Sequence, residues 1–127
     1  ITRELNRMRE KAEAGANFFI TQPIFSIEPL DVVLKEASKL NIPVIAGVWP
    51  LASYRNAEFM QNEVPGVVIP DQVMRRMGSA ESKSAQLATG IEIARETIAA
   101  IRDRVAGVQV SAPFGKVETA LAVLEGI

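Results

Sequence analysis

Cysteine and histidine are both missing from this chain of 127 residues. Without cysteine there is no disulfide, no iron–sulfur cluster, no thiolate zinc site and no thiol nucleophile. Without histidine the commonest general base and the commonest transition-metal ligand are gone. Aromatics make up only 6%, with one Trp and one Tyr, so the position of each is worth following. Neither sign of charge dominates: 14 basic and 15 acidic residues leave a net charge of −1. A nucleic-acid surface, which needs clustered Lys and Arg, is not expected. The bases alternate with acids instead, as in Arg3-Glu4, Arg9-Glu10-Lys11 and Arg102-Asp103-Arg104, the pattern of solvated helix faces. No apolar run approaches a membrane span and no signal peptide is evident. The default reading is therefore a cytoplasmic protein with no membrane and no nucleic-acid partner.

What is present is an alternation. Apolar residues reach 48%, enough for one domain with a core. Residues 2–14 read as a helix with Leu5, Met8 and Ala12 on one face and Gly15 as C-cap. A short apolar strand over 17–21 follows, stops at Gln22 and leaves through Pro23. Residues 27–40 read as a helix with Ser26 as N-cap and Leu30, Val33, Leu34 and Ala37 on one side. The run 43–48 has the continuous apolar character of a strand buried on both faces. Short helices are predicted over 54–62, capped by Ser53, and over 70–77, with Pro70 in the first turn. A polar joint at 79–82 precedes a long helix over 82–105, with Leu87, Ile91, Ala94, Ile98, Ile101 and Val105 inward. A third strand is expected over 108–111 and a last helix over 116–125, with Val117, Ala120, Leu121 and Leu124 inward.

Repeated β/α alternation implies parallel strands with right-handed crossovers. The fold class is α/β, and the strand ends suggest a partial (β/α)8 TIM barrel, whose chemistry lies at the strand C-termini. Three strands are too few for a closed barrel and leave both sheet edges unpaired. Either further strands lie in a parent chain or the piece self-associates. The start at Ile1, within a helical pattern, reads as a piece of a longer polypeptide. No linker divides residues 1–127 into two domains.

Few side chains suggest chemistry. Gln22 stands at a strand end, where its amide can donate and accept at once; it either recognises a heterocycle or merely caps the barrel mouth. Phe25, Trp49 and Tyr54 all follow strand ends and either stack on a ring or pack against neighbouring loops. Lys11 reads as a surface lysine. Lys116 opens the last helix after Pro113-Phe114-Gly115, where anions bind helix N-termini; the alternative is a turn with a solvated lysine. Glu28, Asp31 and Glu36 are assigned to helix surfaces and form no carboxylate pair. Ser111 has no histidine to activate it, and neither a GxGxxG nor a P-loop occurs. No acid, base, nucleophile or metal site is evident.

Taken in order, Lys11-x-Glu13-Ala14-Gly15-Ala16-Asn17, Ile20-Thr21-Gln22-Pro23-Ile24-Phe25, Pro43-x-Ile45-x-Gly47-x-x-Pro50 with Ser53-Tyr54, and Ile69-Pro70 resemble the methylenetetrahydrofolate reductase family. The resemblance places the chain as the C-terminal portion of that family's barrel, the fifth helix and the last three β/α units. The ending Ser111-Ala112-Pro113-Phe114-Gly115-Lys116 is similar to the reductase half of bacterial proteins with a homocysteine S-methyltransferase domain upstream. The resemblance implies a flavoprotein oxidoreductase of one-carbon metabolism and methionine biosynthesis. In such an enzyme FAD is expected to take hydride from NAD(P)H and reduce methylenetetrahydrofolate to 5-methyltetrahydrofolate. It implies that Gln22 contacts folate, that Tyr54 packs on the substrate and that Lys11 lies near FAD. Lys116 stands nearest the place of a substrate-binding arginine, without an arginine's bidentate geometry. The family's catalytic glutamate and most flavin contacts lie in the missing N-terminal half of the barrel, so no catalytic residue is assigned here and this piece alone is expected to be inactive. A homo-oligomer is expected. The competing readings are a non-catalytic half-barrel or interaction module, and another α/β-barrel enzyme such as a lyase. A lyase is expected to carry a lysine or carboxylate at a strand end, where this chain has Gln22 and Trp49.

Overall fold

Backbone hydrogen bonding, more than apolar run length, decides where the elements of this chain begin and end. A computed structural model describes residues 2–125. Its elements are α1 (Thr2–Glu13), β1 (Phe19–Pro23), α2 (Ile27–Leu40), β2 (Val44–Val48), α3 (Tyr54–Glu63), α4 (Asp71–Ser79), α5 (Lys83–Ile101), β3 (Gly107–Val110), one 3-10 turn (Pro113–Gly115) and α6 (Val117–Leu124). The three strands are parallel and lie in the order β1-β2-β3. The predicted α/β alternation is present, and three parallel strands with helical crossovers are consistent with part of a barrel.

β1 lies two residues later than its apolar run suggests. Its start is set by Phe19, whose N–H bonds the Pro43 carbonyl at 3.0 Å and which stands in register with Val44. α1 closes as predicted at Gly15, with the Ala16 N–H bonding the Lys11 carbonyl at 2.9 Å, the six-to-one bond of a Schellman turn. Ser53 and Ser82 cap α3 and α5 through their hydroxyls, but Ser26 makes no side-chain cap to α2. α5 ends at Ile101, four residues early, because the chain must reach the sheet: the Ala106 N–H bonds the Val44 carbonyl at 2.9 Å.

Side chains of one parity face the helices. Phe19 and Val44 pack with Ala37 and the half-buried Met8 and Ala12. Ala46 packs with Leu30 and Ile101, and Val48 with Ala94, Ile98 and Val123. The opposite parity carries Ile20 and Ile45 in one row and Gly47 beside Gln109 in the next. On that face Ile20 is 55% exposed, and Phe18 just ahead of β1 is 51% exposed.

Two assignments are corrected. Glu36 is not a surface residue: it is 4% exposed, accepting from Arg9 Nε at 2.5 Å with Lys39 Nζ at 3.7 Å. α1 lies across α2 and covers it, so the carboxylate is buried with its partner. α6 is rotated from its predicted orientation. Thr119, Ala120 and Val123 face the core, whereas Val117, Leu121 and Leu124 are exposed. Arg95 of α5 grips the Ala122 carbonyl through Nε at 2.9 Å and through a second guanidinium nitrogen, which fixes which side of α6 turns inward.

The tightest approach is between α5 and the chain leaving β2. A β-carbon at Gly90 would lie 1.7 Å from the Leu51 carbonyl oxygen. Gly90→Ala should therefore destabilise the fold by about 3 kcal/mol or more. Gly107→Ala, whose β-carbon meets nothing within 4 Å, is the comparison in urea unfolding. Equal midpoints for the two variants would show that α5 does not sit against Leu51.

α4 is clamped to α5 by Arg76, which donates to both Glu96 oxygens at 2.9 and 2.7 Å. Those hydrogen bonds hold the Glu96 carboxyl below its ordinary 4.5 and raise the Arg76 guanidinium. A depressed carboxyl pKa gives stability that is present above the unfolded-state value and is lost as pH falls through the folded-state value. Glu96 is 55% exposed, so the pair contributes under about 1 kcal/mol and is screened by salt. Glu96→Gln should lower the thermal midpoint slightly at neutral pH and leave it unchanged at about pH 3. A deficit that persists in acid would assign the effect to packing instead.

Candidate functional site

The ladder between β1 and β2 breaks where the polar side chains begin. Ile20 pairs with Ile45, but Pro23 pairs with Gly47, so the register slips between them. Such a bulge re-aims side chains at a strand end. The Thr21 hydroxyl repairs the break: its oxygen accepts the Gly47 N–H at 2.9 Å and its proton goes to the Gln22 carbonyl at 2.8 Å. The Ile24 N–H then resumes pairing with the Gly47 carbonyl at 3.1 Å.

Gln22 projects from this bulge and is exposed. Its Nε2 donates to the Pro65 carbonyl at 3.0 Å, tying the strand end to the α3–α4 connection. Gly66 has φ of +84°, and a β-carbon there would lie 2.5 Å from Gln22 Oε1. The bare glycine gives the amide its place. One Nε2 proton and the Oε1 lone pairs remain for other partners.

The three aromatics that follow β1 and β2 have separate fates. Phe25 is buried in the cluster of Leu51, Met60, Ile69 and Met77, so it is a packing residue and offers no stacking face. Tyr54 is half-buried at the start of α3; its ring borders Gly78 of α4, where a β-carbon would stand 3.1 Å from Cε1. Its N–H bonds Gln86 Oε1 at 2.9 Å, and Gln86 Nε2 reaches the Ala80 carbonyl at 3.3 Å. Trp49 directly follows β2, is half-buried, and donates its indole N–H to Asn56 Oδ1 at 3.1 Å. Thr21, Asn56, Gln86 and Gly66 all organise this end of the sheet, and sequence reading missed them. Only a glycine after Pro65, and Ser53 three residues before Asn56, hinted at them.

The two lysines stand apart from this cluster in sequence and element. Lys11 lies in the last turn of α1, ahead of β1, and is exposed. Lys116 is exposed at the N-cap position of α6 and makes no side-chain cap. A flavin dinucleotide needs a cradle for its ring and its phosphates, and one exposed lysine does not make one. The described residues alone do not fit FAD. Among them no group of three or more acidic side chains converges as a metal site, and no helix is long and apolar enough to cross a membrane. A groove of about 450 Å³ between α4 and α5 is lined by Gln72, Arg75, Ser79 and Thr89, none of them at a strand end.

Parallel β/α units with polar and aromatic side chains gathered past the strand C-termini define an α/β chain of the kind that builds barrels. A family model described as methylenetetrahydrofolate reductase matches residues 1–111, and the chain belongs to that family. It is 30% identical over 112 residues to methylenetetrahydrofolate reductase 2 of Schizosaccharomyces pombe, covering 83% of this chain and 17% of that protein. It is 32% identical over 74 residues to a probable methylenetetrahydrofolate reductase (NADPH) of Caenorhabditis elegans, covering 54% and 11%. The chain thus spans under a fifth of these curated relatives. A solved structure from Clostridium thermocellum, described as an uncharacterized protein that binds two copies of 5-methyl-5,6,7,8-tetrahydrofolic acid, matches with a TM-score of 0.59 and 21% identity. That match covers 98% of this chain and 48% of the other, and it shows the shared fold.

Gly66→Ala should displace the Gln22 amide from Pro65. Gly15→Ala, at φ of +102° with nothing within 4 Å of a β-carbon, brings similar backbone strain of roughly 1–2 kcal/mol without that collision. The Gln22 side-chain amide resonances should move in the first variant and stay in the second. Unmoved resonances in both would mean that Gly66 does not govern Gln22.

Proposed function

We propose that this chain is the C-terminal portion of a barrel that reduces 5,10-methylenetetrahydrofolate to 5-methyltetrahydrofolate with NAD(P)H. The observation that carries this reading is the Gln22 amide, exposed at a bulged strand end with donor and acceptor capacity left over. A pterin edge presents both kinds of group, and an amide answers both. Family membership over residues 1–111 and a folate-binding protein of the same fold support it. In this reading Gln22 contacts the folate ring, Tyr54 packs on the substrate and Lys116 meets its carboxylate end. Lys11 would stand towards the phosphates of FAD, a group that would supply the hydride chemistry and would be held mainly by residues outside this chain.

The rest of the barrel covers the sheet face that bears Ile20 and the α6 stripe of Val117, Leu121 and Leu124. These exposed apolar groups support a β/α partner, and the solved relative has about as much chain again outside the match. The parent works as a cytoplasmic homo-oligomer, with or without an upstream methyltransferase domain.

In the full-length protein, Gln22→Ala should raise the KM for methylenetetrahydrofolate by about tenfold or more, the cost of one or two lost hydrogen bonds to the substrate. NAD(P)H oxidation with an artificial acceptor should be unchanged. Wild-type protein that cannot couple NAD(P)H to methylenetetrahydrofolate would overturn the assignment. The 127-residue chain alone should purify without flavin absorbance and without activity; a yellow, active preparation would refute the division of labour.

A further inference from the structure

The connection from β2 to α3 contains a buried polar side chain to which the proposed function gives no task. Asn56, in the first turn of α3, is 7% exposed. Its Oδ1 accepts from Trp49 Nε1 and from the Ala52 N–H, each at 3.1 Å. Its own N–H bonds the Ser53 hydroxyl at 3.0 Å. Both lone pairs of one amide oxygen are therefore used to pin residues 49 and 52, and the cap pins 53. Burying an amide costs free energy unless its bonds are made. Here both acceptor bonds of the oxygen are made, and they fix the path from the strand end to the helix.

Trp49 is the chain's single tryptophan. With its N–H engaged and its body against the core cluster of Phe25 and Leu51, the indole is held in one orientation and presents an apolar ring rather than a donor. It stands two residues beyond Gly47, which is in register with Pro23 on β1. Adjacent strands lie about 5 Å apart and each residue rises about 3.3 Å. The indole and the Gln22 amide thus leave neighbouring strands within roughly 10 Å, a span one bicyclic ring can bridge. Of the aromatics that follow β1 and β2, Phe25 is buried and Tyr54 borders Gly78 further along the chain, whereas Trp49 directly follows the last residue of β2.

We infer that Trp49 forms an apolar wall of the site at the strand C-termini, selecting a flat heteroaromatic ring, and that Asn56 is the positioning residue that sets the wall. This rests on the folate reading above and adds to it the residues that choose the ring.

The test uses the full-length protein, with 5-methyltetrahydrofolate as probe in calorimetric titration. Asn56→Leu removes both acceptor bonds at similar volume and should weaken binding about tenfold. Asn56→Asp keeps an acceptor for both N–H groups and should bind within about twofold of wild type. Trp49→Leu removes the ring and should cost about tenfold even if Asn56→Leu fails to fold. On a Trp49→Phe background Asn56→Leu should add little, because the two act as one unit. The indole N–H resonance, assigned by its absence in Trp49→Phe, should shift in Asn56→Leu and hold in Asn56→Asp. A structural role alone would lower the thermal midpoint of Asn56→Leu and leave its affinity unchanged, which overturns the inference. Wild-type protein that does not bind the probe overturns the folate reading and this inference with it. Wild-type binding with unaltered Trp49→Leu affinity overturns this inference alone.

Discussion

The fold depends on one close backbone approach. α5 meets the chain leaving β2 at Gly90, where even a methyl group would collide with the Leu51 carbonyl. This contact places the longest helix directly over the central strand. Ala94 and Ile98 then reach Val48, and Ile101 reaches Ala46. Gln86, one turn before Gly90, comes to the N–H of Tyr54. The helix that builds the core therefore also sets the start of α3, and the residues past β2 inherit their position from it. A helix one side chain further away would leave both arrangements without support.

The bulge between β1 and β2 works in the opposite sense, by breaking regularity. A regular ladder would have paired Gln22 like any strand residue. The slip frees it, and the Thr21 hydroxyl takes over as acceptor for Gly47. A polar side chain is thereby presented at a strand end without leaving a buried backbone donor unpaired.

Much of this was legible in the amino-acid order. α2 falls on residues 27–40 as its apolar spacing predicts, and Ser53 caps the helix it precedes. These are local signals, decided by neighbours in sequence. The failures are tertiary. The α6 stripe of Val117, Leu121 and Leu124 has true helical spacing, yet it faces away because Arg95 holds the Ala122 carbonyl. Glu36 reads as a surface acid until α1 is laid over it. At the site, the positions of Gln22 and Trp49 followed from strand grammar. The Pro65 carbonyl and Asn56 did not, since a hydrogen bond across 43 residues leaves no periodic trace.

The burial of Glu36 has a consequence for how the molecule comes apart. α1 contributes no fully buried side chain of its own, and its apolar contact is confined to the half-buried Met8 and Ala12 against the cluster of Phe19, Ala37 and Val44. Its departure also removes the cover from Glu36, and the carboxylate regains water in the same motion that takes Arg9 away, with Lys39 still beside it. No intermediate need hold a stranded charge, the situation that makes broken buried pairs costly. α1 is thus a self-contained unit of exchange, able to detach and return while the sheet and α5 stay closed. Its amide protons should be the first of any helix in the chain to trade with solvent.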